Sequence, residues 1–175
     1  RPKQTIVFDE YEHLVNKIDK YKADQDSGEI IGNLILRIVS EINVTSICLH
    51  GCDLRESFSS KLGGILGGNS KINSVAFFGG KISNGSLHNL SEHCSNLKKL
   101  TLVDTKISYD NFDKLEAIIR KTKKLTCLNL SGNNLESCSN DIFELILTLD
   151  KLKTLILCNT KVNLFHQDMI IKLLS

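Results

Sequence analysis

One apolar pattern recurs five times along the chain, and it limits the fold more than any other feature of the sequence. With the first residue of each copy as position 1, apolar residues stand at positions 1, 4, 6 and 11, and a small or polar residue stands at position 9. The copies are Val44, Ile47, Leu49, Cys52 and Leu54; Ile72, Val75, Phe77, Gly80 and Ile82; Leu97, Leu100, Leu102, Thr105 and Ile107; Leu125, Leu128, Leu130, Asn133 and Leu135; and Leu152, Leu155, Leu157, Thr160 and Val162. They begin at residues 44, 72, 97, 125 and 152, spacings of 28, 25, 28 and 27. A unit repeating at such a period cannot bury its own apolar side, so neighbouring units must stack and share one core.

Within each copy, positions 4 and 6 lie two residues apart and so point to the same side of a short strand. Position 9 turns the chain out of the strand, where Asn133 and Cys52 are best suited to bond buried backbone groups. Between copies the apolar spacing becomes helical: Leu87 and Leu90; Phe112, Leu115, Ile118 and Ile119; Ile142, Leu145, Ile146 and Leu149. The expected fold is therefore α/β, a parallel concave sheet of about five strands, near 46–50, 74–78, 99–103, 127–131 and 154–158, with helices on the convex side. Gly80, Thr105 and Thr160 at position 9 predict less regular turns. Four glycines within SKLGGILGGNS, residues 60–70, predict a short or frayed helix, since each costs about 0.5–1 kcal/mol relative to alanine. A close-packing role for Gly63 and Gly64 is the alternative.

This pattern resembles the leucine-rich repeat family over residues 29–175, most clearly in LTCLNLSGNNL, residues 125–135. The repeat lengths and long helical segments resemble the ribonuclease-inhibitor-like class, and SLHNLSEHCSNLKKLTL, residues 86–102, resembles the cysteine-containing class of ubiquitin-ligase substrate receptors. The resemblance implies a solenoid, an intracellular protein and, as the family's usual use, protein binding. Secreted relatives commonly have shorter, proline-containing repeats, and here the single proline is Pro2.

An open solenoid needs caps. Residues 1–28 are expected to form an amino-terminal helical cap, with Phe8, Tyr11, Leu14, Val15, Ile18 and Tyr21 along one helical stripe. This helix is alternatively an arm that docks a partner. The repeat domain then spans 29–175, opening on a second helical face from Ile30 to Ile42 and closing on a helix that ends at Ser175.

Side chains alternating with the buried ones should line the concave face. One row holds Ser46, Ser74, Lys99, Cys127 and Thr154; the middle row Cys48, Ala76, Thr101, Asn129 and Ile156; the last row His50, Phe78, Val103, Ser131 and Cys158. The candidate partner-binding residues are Lys99, Phe78, Val103, Thr101, Asn129, Ile156 and His50. Phe78 is the leading anchor, because exposed aromatics often carry much of a binding energy. Small, weakly polar neighbours suit a protein or peptide better than a phosphate-bearing ligand. The loops carrying Asp53, Lys81, Asp104, Lys106 and Lys161 either form a polar rim or simply solvate the edge, and binding at loops or convex helices is the competing expectation.

Chemistry finds little support. Cys48, His50 and Cys52 form C-x-H-x-C, but Cys52 should turn inward while the other two point out, so the expectation is no metal site. His50 beside Cys48 as base and thiol has no orienting carboxylate near it in sequence, and no enzyme is expected. His88, His93 and Cys94 lack the spacing of helical metal ligands, and the paired glycines lack the Gly-Lys-Ser/Thr of a phosphate loop. No cofactor or small-molecule substrate is expected. A formal net charge of +2 implies neither nucleic acid nor an anionic membrane as a partner, and no apolar run approaches the roughly 18–20 residues of a membrane span. Six cysteines without a secreted framework suggest reduced thiols in the cytoplasm, and the sequons at Asn43, Asn84, Asn89 and Asn129 are read as chance. The expected function is a non-catalytic protein–protein interaction module. The alternative is the recognition part of a larger regulatory protein, such as a ubiquitin-ligase substrate receptor, an innate immune receptor or a pathogen effector.

Overall fold

A computed structural model describes residues 4–8, 34, 37, 44–50, 56–68 and 71–162. Strands β1 (Gln4–Phe8), β2 (Val44–His50), β3 (Ser74–Phe78), β4 (Lys99–Val103), β5 (Cys127–Asn129) and β6 (Thr154–Ile156) form one sheet in chain order. Every neighbouring pair is parallel. Between them run the helices α1 (Glu56–Gly68), α2 (Asn84–His93), α3 (Phe112–Lys121) and α4 (Ser139–Leu147), the last two each entered through a single 3-10 turn. Neighbouring helices pack on one another in the same sequential order. The protein is thus a mixed α/β structure in which each strand lies beside the strand before it.

The strands alternate as their sequences require. Ile47, Leu49, Val75, Phe77, Leu100, Leu102, Leu128 and Leu130 are buried and join the inward residues of the helices, among them Leu87, Leu115, Ile118, Ile142 and Ile146, in one apolar core. Burying a side chain of this size contributes about 1.5–3 kcal/mol relative to leaving it in water, so the shared core is the main stabilising term. Each copy is also tied to the next through position 2. The Asn73 carbonyl accepts from Lys98 N and Lys99 N at 2.7 and 3.0 Å, and the Lys98 carbonyl accepts from Thr126 N and Cys127 N at 2.8 and 3.1 Å. The core residues of the fifth copy, Leu152, Leu155, Leu157 and Val162, are only partly buried.

Four findings depart from the sequence reading. Among the described residues the sheet has six strands, one beyond the five spans expected, because Thr-Ile-Val-Phe in the amino-terminal segment pairs with β2. Its register sets Ile6 opposite Ile47 and Phe8 opposite Leu49, so these two residues stand at positions 4 and 6 of an additional, incomplete copy. Phe8, expected to open a helical stripe, is instead the last residue of β1; the rest of that expected helix and of the helical face from Ile30 lie outside the described residues, apart from Leu34 and Arg37, which are helical. Strands β5 and β6 are three residues each, shorter than the spans 127–131 and 154–158. The Asn129 side chain takes the Ser131 amide at 3.0 Å, and this local bond closes β5.

The glycine-rich segment also departs from expectation, forming a full 13-residue helix. Its glycines divide into two pairs. A Cβ on Gly63 or Gly67 would come within 2.8 or 2.7 Å of the His93 ring, whereas Gly64 and Gly68 face open space. Close packing therefore holds for Gly63, with Gly67 and not Gly64 as its companion. Left-handed backbone recurs at position 8, where Gly79, Asp104, Gly132 and Asn159 have φ of 71, 53, 75 and 56°. In the second copy Gly80 adds a second left-handed residue, and in the two copies with threonine at position 9 Lys106 and Lys161 do so, so all three turns expected to be less regular carry two such residues where the Asn133 turn carries one.

Candidate interaction face

The register of the sheet assembles the outward side chains into rows. Ser46, Ser74, Lys99, Cys127 and Thr154 stand opposite one another, as do Cys48, Ala76, Thr101, Asn129 and Ile156, and then His50, Phe78 and Val103. All seven candidate residues, Lys99, Phe78, Val103, Thr101, Asn129, Ile156 and His50, therefore lie on one side of the sheet, opposite the core. Lys99 and Thr154 are exposed, and the others of these three rows are half-buried. The face is weakly polar, with the Lys99 ammonium as its one fixed charge among these positions.

Phe78 is a half-buried residue rather than a fully exposed one, which corrects the picture of a projecting anchor. Its ring stacks on His50 with centroids 4.7 Å apart and planes at 22°. His50 Nε2 in turn lies 3.2 Å from the Cys48 sulfur. Asn129 is occupied locally, its Oδ1 accepting from Ser131 N at 3.0 Å and Ser131 Oγ at 2.7 Å. Lys81, Asp104, Lys106 and Lys161 stand exposed beyond the strand ends, as a rim would. Asp53 and Cys52 lie outside the described residues.

Asn133 has the role its position predicted. It is buried, and its Oδ1 accepts from Thr105 N at 3.1 Å, Thr105 Oγ1 at 3.2 Å and Ile107 N at 3.0 Å. Its Nδ2 donates to the carbonyls of Leu102 at 2.6 Å and Leu130 at 2.8 Å. The residue thus holds two successive turns together and belongs to the scaffold.

The helical side carries a feature the sequence reading missed. A cleft of about 680 Å³ between α3 and α4 is lined by Asp110, Asp113, Glu116, Asp141 and Glu144 against Arg120. Tyr109 at its edge is 68% exposed, the most exposed large hydrophobic side chain among the described residues. Arg120 is held by Glu116 at 2.6 Å, and Lys114 lies 2.8 Å from Asp113, whose carboxyl it keeps below the usual carboxylate range. Shifting the third copy by 28 residues onto the fourth superimposes Asp113 on Asp141 and Glu116 on Glu144, a signal that extending the alignment into the helices would have shown.

Among the described residues, no three His, Cys, Asp or Glu side chains converge as a metal site would require, and no helix is long and apolar enough to cross a membrane. Cys48, Cys94, Cys127, Cys138 and Cys158 are not in disulfides. No protein-family model matches the chain, and a search of curated proteins finds no match.

Proposed function

We propose that the chain is a leucine-rich repeat solenoid, ribonuclease-inhibitor-like with cysteine-containing-class features, and that it binds a protein partner through the sheet face turned away from the helices. One observation carries this reading: the parallel register gathers Phe78, Thr101, Val103, Asn129 and Ile156 from four successive copies onto one weakly polar surface. A solenoid curves with the sheet inside, which would make that surface concave and suited to a convex partner with apolar side chains at its centre. Lys99 and the rim loops supply polar contacts at the edge. The partner is a protein and not nucleic acid, a membrane or a small-molecule substrate, because among the described residues the face offers neither a basic field nor a deep polar pocket. The module is non-catalytic and needs no cofactor. Cysteines outside disulfides accord with a reducing, intracellular compartment.

The decisive experiment captures partners from cell lysate, purifies the captured protein and titrates it against the wild type and a Phe78→Ala, Val103→Ser, Ile156→Ser variant of unchanged circular dichroism. At least about ten-fold weaker binding, or about 1.4 kcal/mol, is expected for the variant. Equal affinity, with loss on Tyr109→Ser, would move the contact to the helical side, where the exposure of Tyr109 gives a second surface its anchor.

A further inference from the structure

We propose that Cys48 is a reactive thiol that undergoes exchange with low-molecular-weight disulfides of the glutathione class, with His50 as the base that accepts its proton. This goes beyond the binding reading and does not depend on it. The two residues are two apart on β2, so both side chains leave the same side of the strand. Their sulfur and Nε2 are 3.2 Å apart, within reach of a direct proton transfer. Phe78 on β3 fixes the imidazole by stacking on it at 4.7 Å, so the base is held rather than free to swing. Cys48 is half-buried, and opposite it in the register stands the small side chain of Ala76.

Neither strand beside β2 carries a titratable residue: β1 reads Gln-Thr-Ile-Val-Phe and β3 Ser-Val-Ala-Phe-Phe. The nearest fixed charge on the described part of this face is Lys99, on β4, whose row runs through Ser74 and Ser46.

The other cysteines provide the contrast. Cys94 and Cys138 are in the core, where their thiols donate to the carbonyls of Ser91 and Leu135. Cys127 is half-buried on the same face, and Cys158 is exposed. Exposure alone would rank Cys158 as the most reactive described thiol, whereas the pair with His50 ranks Cys48 first.

In the reaction, His50 Nε2 takes the thiol proton and the Cys48 thiolate attacks one sulfur of the disulfide. The bond between Cys48 and that sulfur forms as the reagent's own disulfide bond breaks. The departing thiolate leaves with the electron pair and takes the proton back from His50. Cys48 is oxidised to a mixed disulfide, and the reagent is reduced to one equivalent of thiol.

The test treats the reduced full chain with oxidised glutathione across about pH 6 to 8.5 and follows each cysteine by mass spectrometry. Fragment ions must separate Cys48 from Cys52, which share the tryptic peptide 38–55. At the acid end Cys48 should react about ten-fold faster than Cys158, with a flatter pH dependence, and His50→Gln should bring its rate and pH slope to those of Cys158. A Cys48 profile parallel to that of Cys158 in the wild type, or one unchanged by His50→Gln, would overturn the proposal. Should His50→Gln fail to fold, the wild-type profile decides alone.

Discussion

Asn133 and Thr105, one repeat apart, are joined by two hydrogen bonds to a single atom: Asn133 Oδ1 accepts from the Thr105 amide at 3.1 Å and from its hydroxyl at 3.2 Å. The same oxygen takes the Ile107 amide, and all three groups lie in the buried turn. Asn133→Ala would leave two buried amides without this acceptor, and each such loss costs about 1–3 kcal/mol, so a destabilisation of about 3–5 kcal/mol is expected in urea unfolding. Asn133→Asp keeps the acceptor but faces a carboxylate oxygen toward the Leu102 and Leu130 carbonyls that the amide nitrogen now serves. It should be less damaging in acid, where the protonated oxygen donates, than at neutral pH. A loss below about 1 kcal/mol for the alanine variant would mean that water replaces the amide.

The next contact concerns Gly132. Its φ is 75°, and a Cβ there would collide with the carboxylate of Asp104, the residue at the same position one copy earlier. Left-handed backbone costs a non-glycine residue about 1–2 kcal/mol, and the collision adds to it, so Gly132→Ala should cost about 2–3 kcal/mol. In an Asp104→Gly background only the backbone cost of about 1 kcal/mol should remain. Equal costs in both backgrounds would show that Asp104 swings clear without penalty.

These two sites show which parts of the fold were legible in the sequence. The strand cores were, because burial at positions 4 and 6 repeats with period two in each copy, and the rows of the outer face follow from the same alternation. β1 was not, because Ile6 and Phe8 fill positions 4 and 6 while Lys3 and His13 stand where positions 1 and 11 need apolar residues. The left-handed backbone at position 8 was not legible, since Gly79, Asp104, Gly132 and Asn159 share backbone conformation but no apolar pattern. The acidic cleft needed the alignment to be carried into the helices, where Asp113 and Glu116 match Asp141 and Glu144; the full length of the helix through the glycines depends on a neighbouring element, which local propensity does not contain.

That dependence can be measured in α1. Gly64→Ala puts a methyl into open space on the exposed side of the helix and should stabilise by about 0.5–1 kcal/mol, the ordinary helical gain. Gly67→Ala makes the same change 2.7 Å from His93 Nδ1, so the ring must move and the gain should vanish or reverse. In a His93→Ala background the gain should return, a coupling of about 1 kcal/mol in a double-mutant cycle. Identical effects of Gly64→Ala and Gly67→Ala in the wild type would sink this account of why the helix tolerates its glycines.

The buried thiols predict how stability responds to alkali. Burial pushes both Cys94 and Cys138 up to about 11 from 9.0, with Asp141 reinforcing the rise at Cys138. The thiols therefore keep their protons in the folded chain over a range in which the unfolded chain has released them. Folding then binds protons, and stability falls as pH rises. The contribution is whole below about 9 and is lost as pH climbs through about 11. Lysines and tyrosines titrate nearby in pH, so the measurement compares the wild type with a Cys94→Ala, Cys138→Ala variant in urea unfolding from about pH 8 to about pH 11. The variant starts less stable, having lost two packed sulfurs, and its decline with pH should be shallower. Parallel curves would mean that both thiols ionise in place without opposing the fold, which the carbonyls of Ser91 and Ile118 around Cys94 argue against, since each receives the proton that ionisation removes.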